Sequence, residues 1–406
     1  MDERTRLLHA GPDRDPHTGA SSIPIYQTST YAQSDPEHFG PYDYARGGNP
    51  TREAVERAIA ALEGGARGFA FASGMAAISS ALLLLAPGEH VLVSEDVYGG
   101  AYRVMTTLFK RWGLSVSFVD TADPERVAAA ITQATRALYV ETPSNPLLKI
   151  SDLAALAGIA REHSLLTLID NTFMTPYLQQ PIAFGFDIVL HSGTKFLGGH
   201  SDLIAGLAVT RTEDLGNRLK VIQNSFGAIL GPQDSWLLLR GMKTLAARLE
   251  MQQRAATRVA ERIAVLPGVR RVYYPGLPDH PGRAVHLRQA RGPGAVVSFE
   301  LASESLAKDF LRALRLPLLA VSLGGVESIA SYPATMSHAS MPPSERERRG
   351  ITGGLVRLSV GLEAAADLIA DVEQALASAG AYSNRDASQA EASLPVNQGG
   401  YYGQDI

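Results

Sequence analysis

Between residues 49 and 210, short apolar runs alternate with segments of helical periodicity, and this alternation constrains the fold more than any other feature. Runs of strand length occur at residues 68–72, 90–94, 116–119, 137–141, 165–170, 188–191 and 204–209. Helical segments are predicted over residues 51–63, 74–85, 99–112, 124–133 and 152–163. Several of the strand-length runs are continuously apolar, which is typical of strands buried on both faces. The sequence therefore predicts an α/β fold with a mostly parallel sheet covered by helices.

The chain of 406 residues is long enough for more than one hydrophobic core. Residues 1–48 are rich in Gly, Pro, Ser and Asp and are predicted to form an extended arm. Residues 49–244 form the predicted large domain. An amphipathic stretch at 235–266 leads into a predicted smaller α+β domain over 245–380. Residues 381–406 have few apolar side chains, and we expect a disordered tail there.

Composition excludes several classes of function. The net charge is −4 and no basic stripe is present, so we expect no nucleic-acid partner. Cysteine is absent, which excludes disulfides, thiolate metal sites and a cysteine nucleophile, and no metal site is expected. The charged N-terminus lacks the apolar segment of a signal peptide, and no apolar run reaches the roughly 20 residues that span a bilayer. We therefore expect a cytoplasmic protein without a membrane partner.

Two functional side chains follow neighbouring strand candidates. Asp170 ends one apolar run, and Lys195 comes shortly after the next. If both strands are parallel, the two side chains project into one crevice at the carboxyl ends of the strands. A carboxylate beside a ring nitrogen and a lysine that binds an aldehyde are what pyridoxal 5′-phosphate (PLP) chemistry requires. Taken singly, Lys195 is more commonly a solvated lysine and Asp170 a turn or capping residue.

Further candidates surround this pair. Ser192 and Thr194 flank the lysine with hydroxyls suited to phosphate oxygens. Gly74 lies in a predicted strand-to-helix turn, where free backbone N–H groups bind phosphate and glycine permits close approach. Tyr98 follows another strand candidate and is placed to stack on a cofactor ring. Each feature alone is common, but their order on one α/β frame favours a cofactor site.

Nine segments then resemble one known family in order and spacing: YARGGNPTR (44–52), FASGMAAI (71–78), EDVYGG (95–100), ETPSNP (141–146), DNTF (170–173), SGTKFLGGHSD (192–202), SLGGVES (322–328), YPATMSH (332–338) and RLSVGLE (357–363). The chain resembles the Cys/Met-metabolism family of PLP enzymes. This family includes cystathionine β-lyases, cystathionine γ-lyases, cystathionine γ-synthases and methionine γ-lyases. The resemblance covers about residues 5–380 and implies the type I fold of PLP-dependent transferases.

The resemblance implies roles for individual residues. Lys195 would be the lysine that binds the cofactor and moves protons, Asp170 would pair with the ring nitrogen, and Tyr98 would stack on the ring. The residues implied to hold the phosphate are Gly74, Met75, Ser192 and Thr194.

Tyr44 and Arg46 would reach the phosphate of a neighbouring subunit, which implies at least a homodimer. The family is typically a tetramer built as a dimer of dimers, and residues 1–48 would then contact the neighbouring subunit. A hydroxyl of Tyr44 or Tyr98, or Lys195 itself, would protonate the leaving sulfur.

The implied site for the substrate carboxylate consists of Arg357, Asn145 and the backbone of Ser322. Arginine suits this task because its guanidinium binds a carboxylate through two parallel hydrogen bonds.

Val321 bears on which reaction is catalysed. The γ-lyases and γ-synthases commonly carry a glutamate before the equivalent of Ser322, and methionine γ-lyases carry a cysteine where this chain has Gly100. The combination here is most similar to cystathionine β-lyases of Gram-positive bacteria, which implies β-elimination from a small sulfur amino acid. The alternatives are γ-elimination or γ-replacement and, from another class, a PLP-fold protein that binds without catalysing.

Overall fold

The computed structural model describes residues 1–11 and 14–381. Its strands are β1 Arg67–Phe71, β2 His90–Ser94, β3 Ser115–Val119, β4 Thr135–Glu141, β5 Leu166–Asp170, β6 Ile188–Ser192, β7 Gly206–Thr210, β8 Val269–Tyr273, β9 Val296–Leu301, β10 Leu318–Leu319, β11 Ile329–Ser331 and β12 Leu355–Ser359. Its α-helices are α1 Glu3–His9, α2 Pro50–Glu63, α3 Gly74–Leu82, α4 Gly99–Val104, α5 Lys110–Trp112, α6 Pro124–Ala129, α7 Leu153–Glu162, α8 Thr175–Leu178, α9 Glu213–Phe226, α10 Pro232–Met242, α11 Leu245–Ala264, α12 Arg283–Gln289, α13 Glu304–Ala313, α14 Pro343–Arg348 and α15 Ala365–Ser378. A π-helical turn, Met105–Phe109, joins α4 to α5, and a 3-10 turn spans Pro181–Phe184.

The first sheet has seven strands in the order β1-β7-β6-β5-β4-β2-β3. Five of these strands, β6-β5-β4-β2-β3, are parallel to one another. Of the two remaining strands, β7 runs antiparallel to both of its neighbours, β6 and the edge strand β1. The predicted mostly parallel sheet is therefore confirmed, and its parallel strands place the carboxyl ends of β4, β5 and β6 along one edge.

Both faces of this sheet are buried. Along β4, Leu138 and Val140 pack into one hydrophobic cluster, whereas Ala137 and Tyr139 pack into a second cluster on the opposite face. Each apolar run is continuous because successive side chains of a strand point to opposite faces, and helices cover both. This pattern is the physical reason why the strand candidates do not alternate between apolar and polar residues.

The second sheet has five strands in the order β10-β11-β12-β9-β8 and is largely antiparallel. It packs with α11, α13 and α15 around a separate hydrophobic cluster that includes Phe299 and Phe310. Since all five strands lie between residues 269 and 359, the amphipathic stretch at 235–266 does lead from one sheet to the other. It forms two helices, α10 and α11. The predicted domain limits at 48, 244 and 380 remain predictions.

The N-terminal arm differs in one respect from the expectation of an extended segment. It begins with α1, whose N-cap is Asp2 and whose Leu7 is buried in the main core. From residue 14 to 48 the arm has no helix or regular strand, only a bridge between Thr30 and Tyr44. The predicted tail at 381–406 lies outside the described residues, apart from Ala381. Within residues 1–11 and 14–381, no helix is long and apolar enough to cross a membrane.

Candidate active site

The parallel pairing of β5 with β6 brings two predicted residues together. Asp170 is the last residue of β5, and Lys195 follows β6 after a short turn. Both side chains line one cavity of about 390 Å³. The Asp170 carboxylate accepts a hydrogen bond from the backbone N–H of Thr172 at 3.0 Å. Burial raises the pKa of Asp170, and no lysine or arginine in the described part of the chain forms a salt bridge with it.

The amine of Lys195 points at the loop between β10 and β11 of the second sheet. Its Nζ donates to the hydroxyl oxygen of Ser322 at 2.5 Å. Burial, together with the nearby positive charge of Arg357, lowers the pKa of Lys195 to about 8. A lysine in this environment is deprotonated to a useful extent near neutral pH, which is what proton abstraction requires.

The guanidinium of Arg357 lies on the central strand β12 of the second sheet and is fully buried. Its Nη1 donates to the side-chain oxygen of Asn145 at 2.8 Å, and its Nη2 donates to the backbone oxygen of Ser322 at 2.8 Å. Its buried Nε has no partner, and no carboxylate in the described residues forms a salt bridge with it. Burial lowers the pKa of Arg357 to about 10. A buried cation whose hydrogen-bond partners are neutral oxygens is suited to binding an anion.

The residues predicted to hold a phosphate lie at the start of α3. Ser73 caps this helix by accepting from the N–H of Ala76, and Gly74 and Met75 border the cavity. The first N–H groups of a helix have no intrahelical acceptor and attract anions. A Cβ placed on Gly74 would lie 3.1 Å from that of Ser192, so glycine leaves this corner open.

Ser192 and Thr194 border the same corner from the turn after β6. The hydroxyl of Thr194 accepts from the backbone N–H of Ala205 at 3.0 Å and donates to its carbonyl oxygen at 3.3 Å. These bonds fix the turn that precedes Lys195. Two hydroxyls and the open N-terminus of α3 thus converge on one part of the cavity.

Tyr98 lies over the cavity at the N-terminus of α4, with 38% of its surface exposed. Its backbone N–H donates to Glu141 Oε2 at 2.8 Å. Gly100 leaves room for its ring, because a Cβ at this position would lie 2.4 Å from Tyr98 Cε1 and 2.8 Å from Met75 Sδ. The exposed face of the ring is available for stacking.

Two predicted site residues lie elsewhere. Tyr44 is 45% exposed and Arg46 lies 5.3 Å over its ring, and neither lines the cavity of this chain. Arg46 Nε donates to Asn224 at 3.4 Å. Val321 does line the cavity, at its exposed rim. A single chain thus brings together every predicted site residue except Tyr44 and Arg46.

Several residues that line the cavity were not predicted from the sequence, among them Glu141, Thr172 and His191. Glu141 is the register partner of Asp170, and the hydroxyl of Thr172 accepts from the backbone N–H of Ser192 at 2.8 Å. His191 is buried against Glu63, with 2.7 Å between Nε2 and Oε1. Glu141 and Thr172 lie within the segments ETPSNP and DNTF, so the available signal was their place at or just after a strand end.

A family model described as Cys/Met metabolism PLP-dependent enzyme matches residues 4–377. The chain belongs to this family. Cystathionine beta-lyase MetC of Bacillus subtilis (strain 168) is 58% identical over 372 residues, which cover 92% of this chain and 95% of that protein. Cystathionine gamma-lyase of the same organism is 50% identical over 376 residues, covering 93% and 99%. The crystal structure of cystathionine gamma-lyase from Lactobacillus plantarum complexed with L-serine matches with a TM-score of 0.92 and 48% identity, covering 93% of this chain and 99% of that one.

Members of this family of PLP-dependent enzymes depend on a cofactor that the cavity fits. The Asp170 carboxylate has no cation of its own, which suits a protonated ring nitrogen. The N-terminus of α3 and the neighbouring hydroxyls suit a phosphate, and the Lys195 amine suits an aldehyde. The predicted family, fold and cofactor are therefore confirmed, whereas the roles of individual residues remain proposals.

Proposed function

We propose that the protein is a carbon–sulfur lyase that cleaves L-cystathionine by β-elimination. One water is consumed, and the products are homocysteine, pyruvate and ammonia. The observation that carries the proposal is the meeting of Lys195 and Arg357 at Ser322. The Lys195 amine, whose pKa is lowered, donates a hydrogen bond to the side chain of Ser322. The Arg357 guanidinium donates one to the backbone of the same residue. A substrate held by its carboxylate at Arg357 would thereby bring its α-carbon towards the Lys195 amine.

Each residue has a task in this scheme. Arg357 and Asn145 bind and orient the substrate carboxylate. Asp170 would hold the ring nitrogen of the cofactor through its negative charge, and Tyr98 would hold the ring by stacking. The bound cofactor supplies an electron sink for the carbon from which a proton is removed. Lys195 takes that proton at Nζ and delivers a proton to the departing sulfur, with the hydroxyls of Tyr98 and of a neighbouring subunit's Tyr44 as alternative donors.

Elimination from the β-carbon is favoured by the apolar side chain at the rim. Val321 is 63% exposed and has no group that accepts or donates a proton. The second proton transfer that γ-chemistry requires would therefore fall to Lys195 or to the tyrosine hydroxyls, with no carboxylate at position 321 to assist. The relative that is 58% identical is a β-lyase, which supports the same choice.

Reaction at the γ-carbon is the second candidate, because a γ-lyase is 50% identical over almost its whole length. The keto acid decides between the two. Purified protein loaded with PLP is incubated with L-cystathionine, and the keto acid is identified by mass. Pyruvate supports the proposal, whereas 2-oxobutyrate overturns it and establishes γ-elimination.

We also infer a cytoplasmic homo-oligomer, a dimer of dimers, in which Tyr44 and Arg46 complete the site of a neighbouring copy. Their exposure outside the cavity supports this assignment. The test mixes Arg46→Ala with Lys195→Ala, each inactive or weakly active alone at limiting PLP. If sites are shared between two copies, random mixed dimers contain one intact site each, and activity returns to roughly a quarter of the unsubstituted level. No recovery above the separate variants would contradict a shared site.

A further inference from the structure

Glu141 is a buried carboxyl group inside the cavity for which the scheme above has no task. It is the last residue of β4, is 5% exposed, and lines the cavity. In the parallel pairing of β4 with β5, Glu141 lies opposite Asp170, as Tyr139 lies opposite Leu168. Residues paired in register on adjacent strands project from the same face. Two carboxyl groups therefore stand side by side at the end of the sheet.

One oxygen of Glu141 has a defined partner. Its Oε2 accepts the backbone N–H of Tyr98 at 2.8 Å. This bond fixes the main chain of the residue whose ring covers the cavity. A neutral carboxyl group keeps a carbonyl oxygen that can accept such a bond, so the contact does not require Glu141 to be ionised.

The charged groups around Glu141 come from several elements. Asp170 on β5 and Asp96 after β2 are acidic, whereas Arg357 on β12 is basic. Burial, and then the negative charge of Asp170, raise the pKa of Glu141 well above its usual range, although the N–H of Tyr98 and the charge of Arg357 oppose the rise. Two adjacent buried carboxylates repel each other strongly, and such pairs usually share one proton.

Arg357 does not neutralise Glu141 by direct contact. Its guanidinium is bound instead to Asn145 and to the backbone of Ser322. A charged Glu141 would compete with a substrate carboxylate for this guanidinium, and it would add a second negative charge beside the ring-binding Asp170. An uncharged Glu141 avoids both effects.

We propose that Glu141 is a positioning residue that carries a proton in the working enzyme, so that the carboxyl pair Glu141–Asp170 holds a single negative charge. Because the proton resides on Glu141, Asp170 is the charged member of the pair and can face the ring nitrogen. Arg357 then stays free to bind the substrate. Only the effect on substrate binding rests on the proposed function. The state of the carboxyl pair can be measured without any reaction.

Infrared difference spectroscopy of the holoenzyme tests the proton directly. The spectrum of Glu141→Gln is subtracted from that of the unsubstituted protein in D₂O near pH 7.5. We expect loss of one band from a protonated carboxyl group. Loss of a carboxylate band instead would overturn the proposal. Glu300→Gln is the control, because Glu300 on β9 bonds to Thr352 and does not line the cavity. It should leave the protonated band unchanged.

Glu141→Asp provides a second test in case the Glu141→Gln variant does not fold or does not retain PLP absorbance. A carboxyl group is kept in this variant but moved by one methylene. The protonated band should then shift in frequency rather than vanish, and an unshifted band would assign it to another residue and overturn the proposal.

A kinetic measurement tests the positioning role. In the unsubstituted enzyme, KM for L-cystathionine should rise at alkaline pH as Glu141 ionises and competes for Arg357, and Glu141→Gln should remove this part of the rise. Glu141→Leu, which lacks the acceptor for Tyr98, should perturb the PLP absorbance spectrum, and the glutamine variant should restore it. The proposal is overturned if the KM profiles of the glutamine variant and the unsubstituted enzyme rise alike. The infrared result does not depend on which sulfur amino acid is cleaved, so failure of the proposed reaction and failure of this proposal are distinguishable.

Discussion

The Nζ atom of Lys195 lies 2.5 Å from the hydroxyl oxygen of Ser322. Ser322 has a φ of 93°, a left-handed conformation that costs free energy for a residue with a side chain. The conformation is held from both sides, because the carbonyl oxygen of Ser322 accepts from Arg357 and the N–H of Gly324 donates to Ser359 at 2.8 Å. The loop between β10 and β11 thus places a hydroxyl directly at the amine of Lys195, which follows β6.

Ser322→Ala should separate the two tasks of this residue. The alanine keeps the carbonyl oxygen that bonds to Arg357 but removes the acceptor for Lys195. A hydrogen bond that involves a charged or chargeable amine contributes about 1.5 kcal/mol, here to stabilisation of the transition state. Its loss should therefore lower kcat roughly tenfold while KM changes little. Steady-state kinetics with keto acid detection measure both constants. A large rise in KM at constant kcat would show that the hydroxyl binds substrate rather than orienting the amine.

Lys195 should make the stability of the apoprotein depend on pH. Its pKa is about 8 in the folded chain and 10.5 in the reference state, so between these values the unfolded chain binds more protons. The free energy of unfolding therefore rises with pH across this window, by an amount on the order of 3 kcal/mol. Lys195→Met should remove this contribution. Chemical denaturation of both apoproteins from pH 7 to 10.5 gives the difference, and parallel curves would contradict the lowered pKa.

Arg357→Ala should weaken substrate binding without loss of the cofactor. The guanidinium is a buried cation with an unpaired Nε, and its removal also leaves Asn145 and the Ser322 carbonyl without donors. The loss of a charge-assisted, paired contact should raise KM by about 100-fold, with PLP absorbance retained. Arg271→Ala is a matched control on the same sheet, since Arg271 is exposed and packs on Tyr273. Equal effects of the two substitutions would refute the assignment of Arg357.

Gly100→Ala should displace the ring of Tyr98. The added methyl would lie 2.4 Å from the ring carbon Cε1 and 2.8 Å from Met75 Sδ, so the ring or the methionine has to move. We expect a changed PLP absorbance spectrum and a loss in kcat/KM of roughly tenfold, since misplacement of a contacting group is costly. Gly158→Ala on α7 is the control, because nothing lies within 4 Å of its added Cβ. An unchanged spectrum in Gly100→Ala would show that Tyr98 does not contact the cofactor.

Much of the fold follows from local patterns in the sequence. The apolar runs predicted the strands because a strand buried on both faces needs apolar residues at consecutive positions. The limits of the observed elements differ by a few residues, as at α3, which ends at Leu82 rather than residue 85. The helix α1 was missed because it is short and is held by burial of Leu7 against the main core, which no local pattern reveals.

The sequence motifs by themselves determined the family and the cofactor. The sequence also predicted that Asp170 and Lys195 lie together, because parallel strands bring their carboxyl ends to one edge of the sheet. The family resemblance implied that Arg357, Asn145 and Ser322 belong to one site, but tertiary structure decided the contacts between them. Arg357 reaches Asn145 across 212 residues of chain, and only the packing of the second sheet against the first brings them within 2.8 Å. The pairing of Glu141 with Asp170 likewise depends on the register between β4 and β5. Such registers and sheet contacts arise from packing free energy summed over many residues, so no single segment of sequence encodes them.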